Sequence, residues 1–271
     1  MKYKMIECGA YLRVVAIKSF GGIQEGEEGG LIAKEANLSQ EGNAWVSRDA
    51  QVYGNARVSG DAWVFGDAQV SGDAWVFGDA WVFEHAQVSG DARVFGNARV
   101  FGDAQVFGHA QVSGDAWVFG DAWVSGNARV FGDAQVFGHA QVSGDARVFG
   151  HAQVYGNARV SGDAWVSGNA RVFGDAQVFG HAQVSGDAWV FGHAQVSGDA
   201  RVSKTPINIL GLRWAVTISD HHIQVGCELH LKAEWATFEE ERIAHMDGEA
   251  LEFWNEHRGT ILKLAGVEQK L

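Results

Sequence analysis

The sequence contains few of the residues that mark disulfide-rich, secreted or membrane-spanning proteins. Two cysteines in 271 residues, Cys8 and Cys227, are too few for a disulfide framework. No basic segment followed by an apolar one opens the chain, as a signal peptide would require. No run of about 18 apolar residues is available to cross a membrane. These absences predict a soluble, cytoplasmic protein with no membrane partner.

Positive charge is also scarce, above all in the middle of the chain. The formal net charge is −12. Residues 42–203 contain no lysine, and their nine arginines stand against fifteen aspartates and one glutamate, a net charge of −7. Direct binding of nucleic acid requires a basic surface. The charge balance argues against a nucleic-acid partner and leaves open an acidic mimic of one.

What the chain does have is a repeat of six residues from Gly42 to Ser203. Its motif is Gly-Asp/Asn/His-Ala-Trp/Gln/Arg-Val-Phe/Ser/Tyr. Alanine and valine recur at every sixth residue without exception through 27 hexapeptides, and glycine opens all but two, where Arg48 and Glu84 stand. A fixed short period without insertions predicts a solenoid.

Each hexapeptide predicts a short strand and a bend. In an extended strand, alanine and valine point to one side, and the residues that follow each of them point to the other. Glycine with Asp, Asn or His suits the bend, because these residues tolerate positive φ. Three bends of roughly 120° close a triangular coil of 18 residues. Nine such coils form a rod roughly 43 Å long, at about 4.8 Å per coil, with a core too narrow for a buried ligand.

The residues between alanine and valine test this closure, because every third hexapeptide then shares a side. The Trp side carries Trp45, Trp63, Trp81, Arg99, Trp117, Gln135, Gln153, Arg171 and Trp189. The Gln side carries glutamine at seven of nine positions, broken by Trp123 and Arg159. The Arg side includes Arg57, Arg93, Arg129, Arg147 and Arg201. Duplication offers another explanation of this bias, since residues 101–120 recur unchanged as residues 173–192.

Residues 1–41 and 204–271 differ in composition from the repeat and are predicted to cap its two ends. In the first segment, residues 11–20 predict a strand. In the second, residues 213–219 and 223–231 predict two strands. Thr237 with Glu240 forms a capping-box pattern for a short helix.

Asp247 is placed to cap a second helix of the C-terminal segment. The predicted apolar face of this helix consists of Ala250, Leu251, Trp254, Ile261, Leu262 and Ala265. This face is expected to dock on the last coil or on a second subunit.

Several motifs outside the repeat carry a resemblance to a known family. They are residues 15–20, 29–32 and 37–40 ahead of the repeat, and residues 217–227, His230, 234–235 and 250–254 after it. With the Ala-x-Val repeat, they resemble YdcK-like hexapeptide-repeat proteins, and more closely prophage-borne proteins with the same motif ahead of the repeat. The resemblance implies a single-stranded left-handed parallel β-helix and a role in phage biology in a bacterial host.

Histidines at the bends are the first candidates for chemistry: His85, His109, His139, His151, His181 and His193. Those that share a corner are three or four coils apart, about 14 Å or more, too far to share a metal ion. Acyltransferases of this fold have a loop that breaks the coil and carries a catalytic histidine, and this repeat has no break. The sequence therefore predicts no catalytic residue, no cofactor and no metal in the rod.

A compact cluster of reactive residues lies in the C-terminal segment: His221, His222, Cys227 and His230. Metal ligation or thiolate chemistry is the functional interpretation. The spacing matches no strong zinc pattern, so structural packing is the favoured one.

An aromatic strip on the Trp side is the main functional prediction. The residue after valine is aromatic in eight of nine hexapeptides there, and the strip covers on the order of 500 Å², large for a monomer. The candidate interface comprises Trp45, Trp63, Phe65, Trp81, Phe83, Phe101, Trp117, Phe119, Phe137, Tyr155, Phe173, Trp189 and Phe191, with Leu251 and Trp254 from the C-terminal helix.

Three functions remain open from the sequence. The favoured one is a non-enzymatic scaffold that forms a homodimer or binds a host or phage protein. The second is an acyltransferase-like enzyme, and the third an acidic nucleic-acid mimic. The aromatic strip also has a purely structural interpretation. In it, the rings stack on one another to stabilise neighbouring coils and form no interface.

Overall fold

The computed structural model describes residues 1–267 and shows a parallel β-solenoid between two caps. The rod contains 27 strands of two residues, β4 to β30, which begin at Trp45–Val46 and recur every six residues to Arg201–Val202. Strands on the Trp side form one sheet of nine, and those on the Arg side form another. The strands on the Gln side continue into the N-terminal cap as a sheet of twelve. The predicted three-sided, 18-residue coil is confirmed, and its left hand stays a prediction from the resemblance.

Stacked coils are joined by backbone hydrogen bonds between residues 18 apart in the ladder. Trp81 pairs with Trp63 on one side and with Arg99 on the other. The amide of Trp81 donates to the carbonyl of Ala98 at 2.9 Å. Every repeat alanine and valine is at most 1 % exposed. The predicted inside and outside of the rod are therefore confirmed, and two apolar side chains per hexapeptide leave the solvent.

The bends require positive φ. The two hexapeptides without glycine therefore carry backbone strain. Arg48 has φ 59° and Glu84 has φ 60°, the left-handed region that side chains with a Cβ rarely adopt. At Glu84 the cost is partly offset, since its Oε2 accepts a hydrogen bond of 2.8 Å from the amide of Gly102. Close approach of the stacked bends also favours glycine, because a Cβ on Gly66 would lie 2.9 Å from the Glu84 nitrogen of the next coil.

The N-terminal cap extends the Gln-side sheet. Its strands are β1 (Tyr3–Cys8), β2 (Tyr11–Ala16) and β3 (Glu28–Ile32), and a 3₁₀ turn spans Glu35–Asn37. β1 and β2 form an antiparallel hairpin, β2 pairs with β3, and β3 runs parallel to β5 in the first coil. The strand predicted over residues 11–20 is thus shorter than expected. Phe20 bridges back to Ile23 in a tight turn, which ends the extended chain.

Buried polar groups of the N-terminal cap close the first coil. The Lys2 ammonium donates to the carbonyls of Ala44, Gly42 and Glu41 at 2.7, 3.2 and 3.3 Å. Burial lowers the pKa of Lys2 to about 8, with partial opposition from a nearby aspartate. The hydroxyl of Tyr3 donates to the carbonyl of Leu38 at 2.6 Å, and burial raises the pKa of Tyr3.

A four-stranded antiparallel sheet follows the rod. Its strands are β31 (Ile207–Ile209), β32 (Val216–Ile218), β33 (His222–Val225) and β34 (Glu228–Leu231). The single strand predicted over residues 223–231 is wrong: the chain turns after Val225, and β33 pairs with β34 as a hairpin. The strand predicted over residues 213–219 is reduced to its last part, and β31 was not predicted.

Three helices complete the C-terminal module: α1 (Lys232–Thr237), α2 (Glu240–Ala244) and α3 (Ala250–Leu264). The predicted capping box is wrong, because Thr237 ends α1 and its hydroxyl donates to the carbonyl of Glu234. Asp247 lies just before α3, where its Oδ1 accepts from the amide of Glu249 at 3.0 Å.

One face of the four-stranded sheet covers the last coil. The Ser197 hydroxyl lies 3.1 Å from Gln224 Oε1, and Leu229 packs against the rod core. Asp220 Oδ2 accepts from both the amide and the hydroxyl of Ser203 at 2.7 Å. Burial alone would raise the pKa of Asp220, but these hydrogen bonds bring its pKa below the ordinary value. The four-stranded sheet, and not the apolar face of the second predicted helix, thus contacts the last coil.

Candidate interaction surface

A continuous column of eight aromatic rings follows the edge of the Trp side. Consecutive ring centroids are 4.7 to 5.4 Å apart and the rings lie within 14° of parallel. The column comprises Phe65, Phe83, Phe101, Phe119, Phe137, Tyr155, Phe173 and Phe191. The coil spacing sets this separation, because residues 18 apart are neighbours in the sheet. The rings do form a coil-to-coil ladder, yet each keeps part of its surface in solvent.

A second column runs beside the ladder and contains two arginines that lie next to tryptophans. The guanidinium of Arg99 lies between Trp81 and Trp117, at 5.2 and 5.1 Å from the two rings. Arg171 lies 5.1 Å from Trp189. Such contacts stabilise by about 0.5–1 kcal/mol each at exposed sites and fix the orientation of the arginine. This arrangement was not predicted, although an arginine 18 residues from a tryptophan is its signal.

Exposure along the Trp side is uneven. Trp81, Trp189 and Phe191 expose 39, 45 and 40 % of their surface. Trp45, in contrast, is fully buried, because Phe20 and Tyr3 of the N-terminal cap pack on it at ring distances of 5.4 and 6.4 Å. Its inclusion in the candidate interface is wrong: the cap already occupies the first coil of this side.

Tryptophan alone does not distinguish the Trp side. Trp75 and Trp165 on the Arg side and Trp123 on the Gln side are equally exposed. The difference lies in the continuity of the phenylalanine column. On the Arg side, stacked phenylalanines occur only as two separate pairs within the described residues. A flat, uninterrupted aromatic surface is therefore specific to the Trp side.

The two candidate interface residues of the C-terminal helix are not available for contact. Trp254 is 3 % exposed and packs in the core of its own module, with its ring 4.8 Å from Trp235. Leu251 is half-buried against the same core. The apolar face predicted for this helix is buried as expected, but inside the module and not in an interface. The proposal that this helix carries a dimer contact is therefore corrected.

The bend histidines take part in polar ladders along the three corners. Each of the six has its Nδ1 between 3.2 and 3.8 Å from an aspartate Oδ2 one coil earlier. Asparagines make the reverse contact, as when Asn97 donates to Asp115 at 2.9 Å. The side chains are exposed, so each pair stabilises little. The signal was present in the sequence, because an aspartate precedes each of these histidines by 18 residues.

The C-terminal cluster of reactive residues is not assembled in space. His221 precedes β33 and Cys227 lies in the turn after it, so the two are at opposite ends of a four-residue strand. His230 packs on Trp235 and Phe238 and lies 3.1 Å from Glu228. Within residues 1–267, no group of three or more His, Cys, Asp or Glu side chains is placed to hold a metal ion.

His222 belongs to the same cluster but faces a different environment. Its Nδ1 is buried without a hydrogen-bond partner. Burial lowers its pKa, and the neighbouring His221 lowers the pKa further. Burial thus disfavours the charged imidazolium, and Glu234 and Asp199 oppose this effect only in part.

Comparison with known proteins agrees with the geometry of the rod. A model of the YdcK beta solenoid repeat family matches residues 50–66, 86–100, 92–108, 110–126, 122–138, 140–151, 152–168 and 164–180. All eight matches fall within the rod, which is thus similar to that family. The curated proteins searched include no match to the chain. Of the helices within residues 1–267, none combines the length and apolar character needed to cross a membrane.

Proposed function

We propose that this protein is a non-enzymatic scaffold that acts by surface contact through the Trp side. The observation that supports the proposal is the unbroken column of eight partly exposed rings beside exposed Trp81 and Trp189. Contiguous exposed apolar surfaces of this kind mark sites of protein association. The rod presents its aromatic groups in a fixed geometry, so little side-chain freedom is lost on binding.

The partner we propose is a second copy of the chain. Two-fold contacts between identical surfaces are the commonest form of association. A ladder with a constant repeat suits such a contact, because rings of one rod meet rings of the other in any register of whole coils. The C-terminal helix is buried in its own module, which leaves the Trp side as the favoured contact.

The resemblance to prophage-borne proteins supports a role in phage biology. We propose either a structural accessory or a protein that binds and blocks a host factor, in the cytoplasm of a bacterial host. The Trp side would then serve both the second copy and that factor, in competition. An acyltransferase activity is the weaker alternative, because all 27 hexapeptides follow without a catalytic loop.

The decisive experiment is a matched pair of double variants examined by size-exclusion chromatography with light scattering. Trp81→Glu with Phe83→Glu places two charges in the aromatic surface and should convert a dimer to a monomer. Gln87→Glu with Ser89→Glu makes the equivalent change in the next hexapeptide, on the Gln side, and should leave the dimer intact. A wild-type chain that stays monomeric at high concentration would contradict self-association.

The non-enzymatic part of the proposal has its own test. Acetyl-CoA should not change the melting temperature of the purified protein, because the alanine and valine core of the rod is fully buried and no loop interrupts its coils. A reproducible increase that disappears in a variant of a single bend histidine would favour the acyltransferase alternative.

A further inference from the structure

A small aromatic cavity lies in the C-terminal module, where residues of the sheet and of all three helices meet. Its volume is about 80 Å³. Four rings line it: Trp214, Trp235, Phe253 and Trp254. They differ in orientation, since Trp214 and Phe253 meet at 80° and Trp235 and Trp254 at 36°. The cavity therefore presents aromatic walls in several directions.

Two carboxylates, Glu228 and Asp247, line the same cavity. Asp247 is exposed and the Glu228 side chain is 37 % exposed, whereas three of the four rings are buried. The carboxylates thus lie at the mouth and the rings form the interior. Among the described residues of the lining, none is lysine, arginine or histidine. The charge of the lining is therefore negative.

No lysine or arginine neutralises these carboxylates. Glu228 Oε2 lies 3.1 Å from His230 Nε2, a position from which a neutral imidazole can donate a hydrogen bond. Asp247 Oδ1 accepts from the amide of Glu249. Within residues 1–267, neither carboxylate has a lysine or arginine nitrogen within 4.0 Å, because the nearby Arg213 pairs with Glu249 instead. Both groups are thus available to attract a cation.

One hydrogen-bond donor at the cavity has no acceptor. Nε1 of Trp254 is buried and makes no hydrogen bond in the part of the chain that the structure describes. In contrast, Nε1 of Trp235 donates to the carbonyl of Ile223 at 2.7 Å. A buried N–H without an acceptor is unfavourable. An oxygen atom of a bound ligand would supply the acceptor that Trp254 lacks.

Together these features select one ligand chemistry. Aromatic rings attract organic cations, and enclosures of several rings recognise quaternary ammonium groups. Cavities of about 150 Å³ accept benzene, so one of about 80 Å³ accommodates the smaller trimethylammonium group. The carboxylates disfavour anionic ligands such as phosphates. A neutral apolar group would fill the cavity but leave both the charge and the free donor unused.

We propose that this cavity binds a small quaternary ammonium compound that carries a hydroxyl group. The trimethylammonium group lies among the four rings, near the carboxylates at the mouth, and the hydroxyl oxygen accepts from Trp254. A trimethylated lysine side chain carries the same cation but no oxygen, so we assign the site to a free small molecule. The site is separate from the Trp side and does not depend on the scaffold function proposed above.

The two cysteines provide a test with an internal control. Cys227 lines the cavity and Cys8 lies in the N-terminal cap, and both are exposed free thiols. At constant ionic strength, choline should slow the alkylation of Cys227 by iodoacetamide and leave that of Cys8 unchanged, as followed by peptide mass spectrometry. The neutral dimethylbutanol in which a carbon replaces the nitrogen of choline should require roughly tenfold higher concentrations for the same protection. Equal protection by the two compounds, no protection, or protection of both cysteines would overturn the proposal.

A matched pair of double variants tests the carboxylates. Glu228→Gln with Asp247→Asn removes both charges and keeps the shape of the side chains, so choline should then protect Cys227 no better than dimethylbutanol does. Glu252→Gln with Glu256→Gln, at exposed positions of α3 outside the lining, should keep the wild-type preference. Comparing rates with and without the probe in each chain removes any effect of the substitutions on the thiol itself. A preference for choline that survives the first double variant would contradict the assignment.

Two further probes test the oxygen and the source of the cation, with affinities measured by calorimetry. Propyltrimethylammonium, in which a methyl group replaces the hydroxyl of choline, should bind roughly fivefold more weakly. A trimethyllysine with blocked termini should also bind more weakly than choline. Equal binding of propyltrimethylammonium would overturn the hydrogen bond from Trp254. Tighter binding of trimethyllysine would overturn the assignment to a free small molecule and indicate a modified protein chain instead.

Discussion

The rod and the C-terminal module are stabilised in different ways. In the rod, each coil repeats the same contacts, so its stability comes from identical interfaces between neighbours. In residues 204–267, a four-stranded sheet packs on three helices through a core of unlike residues, including Trp235, Trp254 and Phe253. A core substitution in the rod has the same neighbours at almost any position, so its cost in unfolding free energy should be nearly constant. In the module, that cost depends on which residue is replaced.

The largest difference should appear when a charge is buried in the middle of the rod. Val136→Asp places an unpaired carboxylate in a core of alanine and valine and should cost more than about 4 kcal/mol of unfolding free energy. Gln135→Asp, one residue earlier and pointing outward, should cost less than about 1 kcal/mol. Urea denaturation followed by circular dichroism measures both. Similar losses for the two variants would mean that inside and outside are wrongly assigned.

The junction between rod and module should be sensitive to acid. Asp220→Asn weakens two hydrogen bonds to Ser203 and should destabilise the docked module by about 1–2 kcal/mol at neutral pH. Because the folded pKa of Asp220 is depressed, its contribution is present above the unfolded pKa and is lost as the pH falls through the folded one. The protection factors of the amides in β32 and β33, which correct for the pH dependence of intrinsic exchange, should therefore fall below about pH 4 in the wild type and less so in the variant. Asp103→Asn, at an exposed corner, is the control and should keep the wild-type profile.

The two bends without glycine should respond differently to its introduction. Arg48→Gly removes the strain of positive φ and should raise the melting temperature, with a gain of about 0.5–1 kcal/mol after the entropic cost of glycine. Glu84→Gly should gain less, because it also removes the hydrogen bond from Gly102. Calorimetry on the two variants compares them directly. An equal gain at both positions would show that this hydrogen bond contributes nothing.

An effect of similar size to that at the bends concerns the N-terminal cap at alkaline pH. Lys2 has a folded pKa of about 8 against 10.5 in the unfolded chain, so unfolding free energy should rise between pH 8 and 10. The gain is on the order of 1 kcal/mol after solvent screening. Above pH 10 the raised pKa of Tyr3 reverses the trend, since the unfolded chain ionises first. In Lys2→Met, melting temperatures across this range should lack the rise.

The same comparison explains what the sequence could predict. In the rod, one period determines the strands, the bends, the register and the buried residues, because every contact is repeated 18 residues away. In the module, the turn at Gly226 and the end of α1 at Thr237 depend on which surfaces pack together. Local patterns therefore predicted one long strand where a hairpin forms, and a capping box where a helix ends.

The candidate surface was predicted in part for a similar reason. The ladder from Phe65 to Phe191 follows from the period. The burial of Trp45 does not, because it depends on Phe20 folding back from the cap. Likewise, the apolar face of α3 was correct as a pattern, but its partner was the sheet of its own module. Periodicity specifies which residues share a side and leaves open what covers that side.

The constant coil makes length an adjustable dimension of this molecule. Removing a block of 18 residues, such as 103–120, would shorten the rod by about 4.8 Å and leave every later side chain on its original side. Removing six residues instead would rotate everything that follows by one third of a turn and move arginines to the face of the tryptophans. Copying errors in the underlying gene thus act in two distinct ways. Insertions or deletions of whole 18-residue coils change only the length of the rod. Those of one or two hexapeptides also change which residues lie on each side.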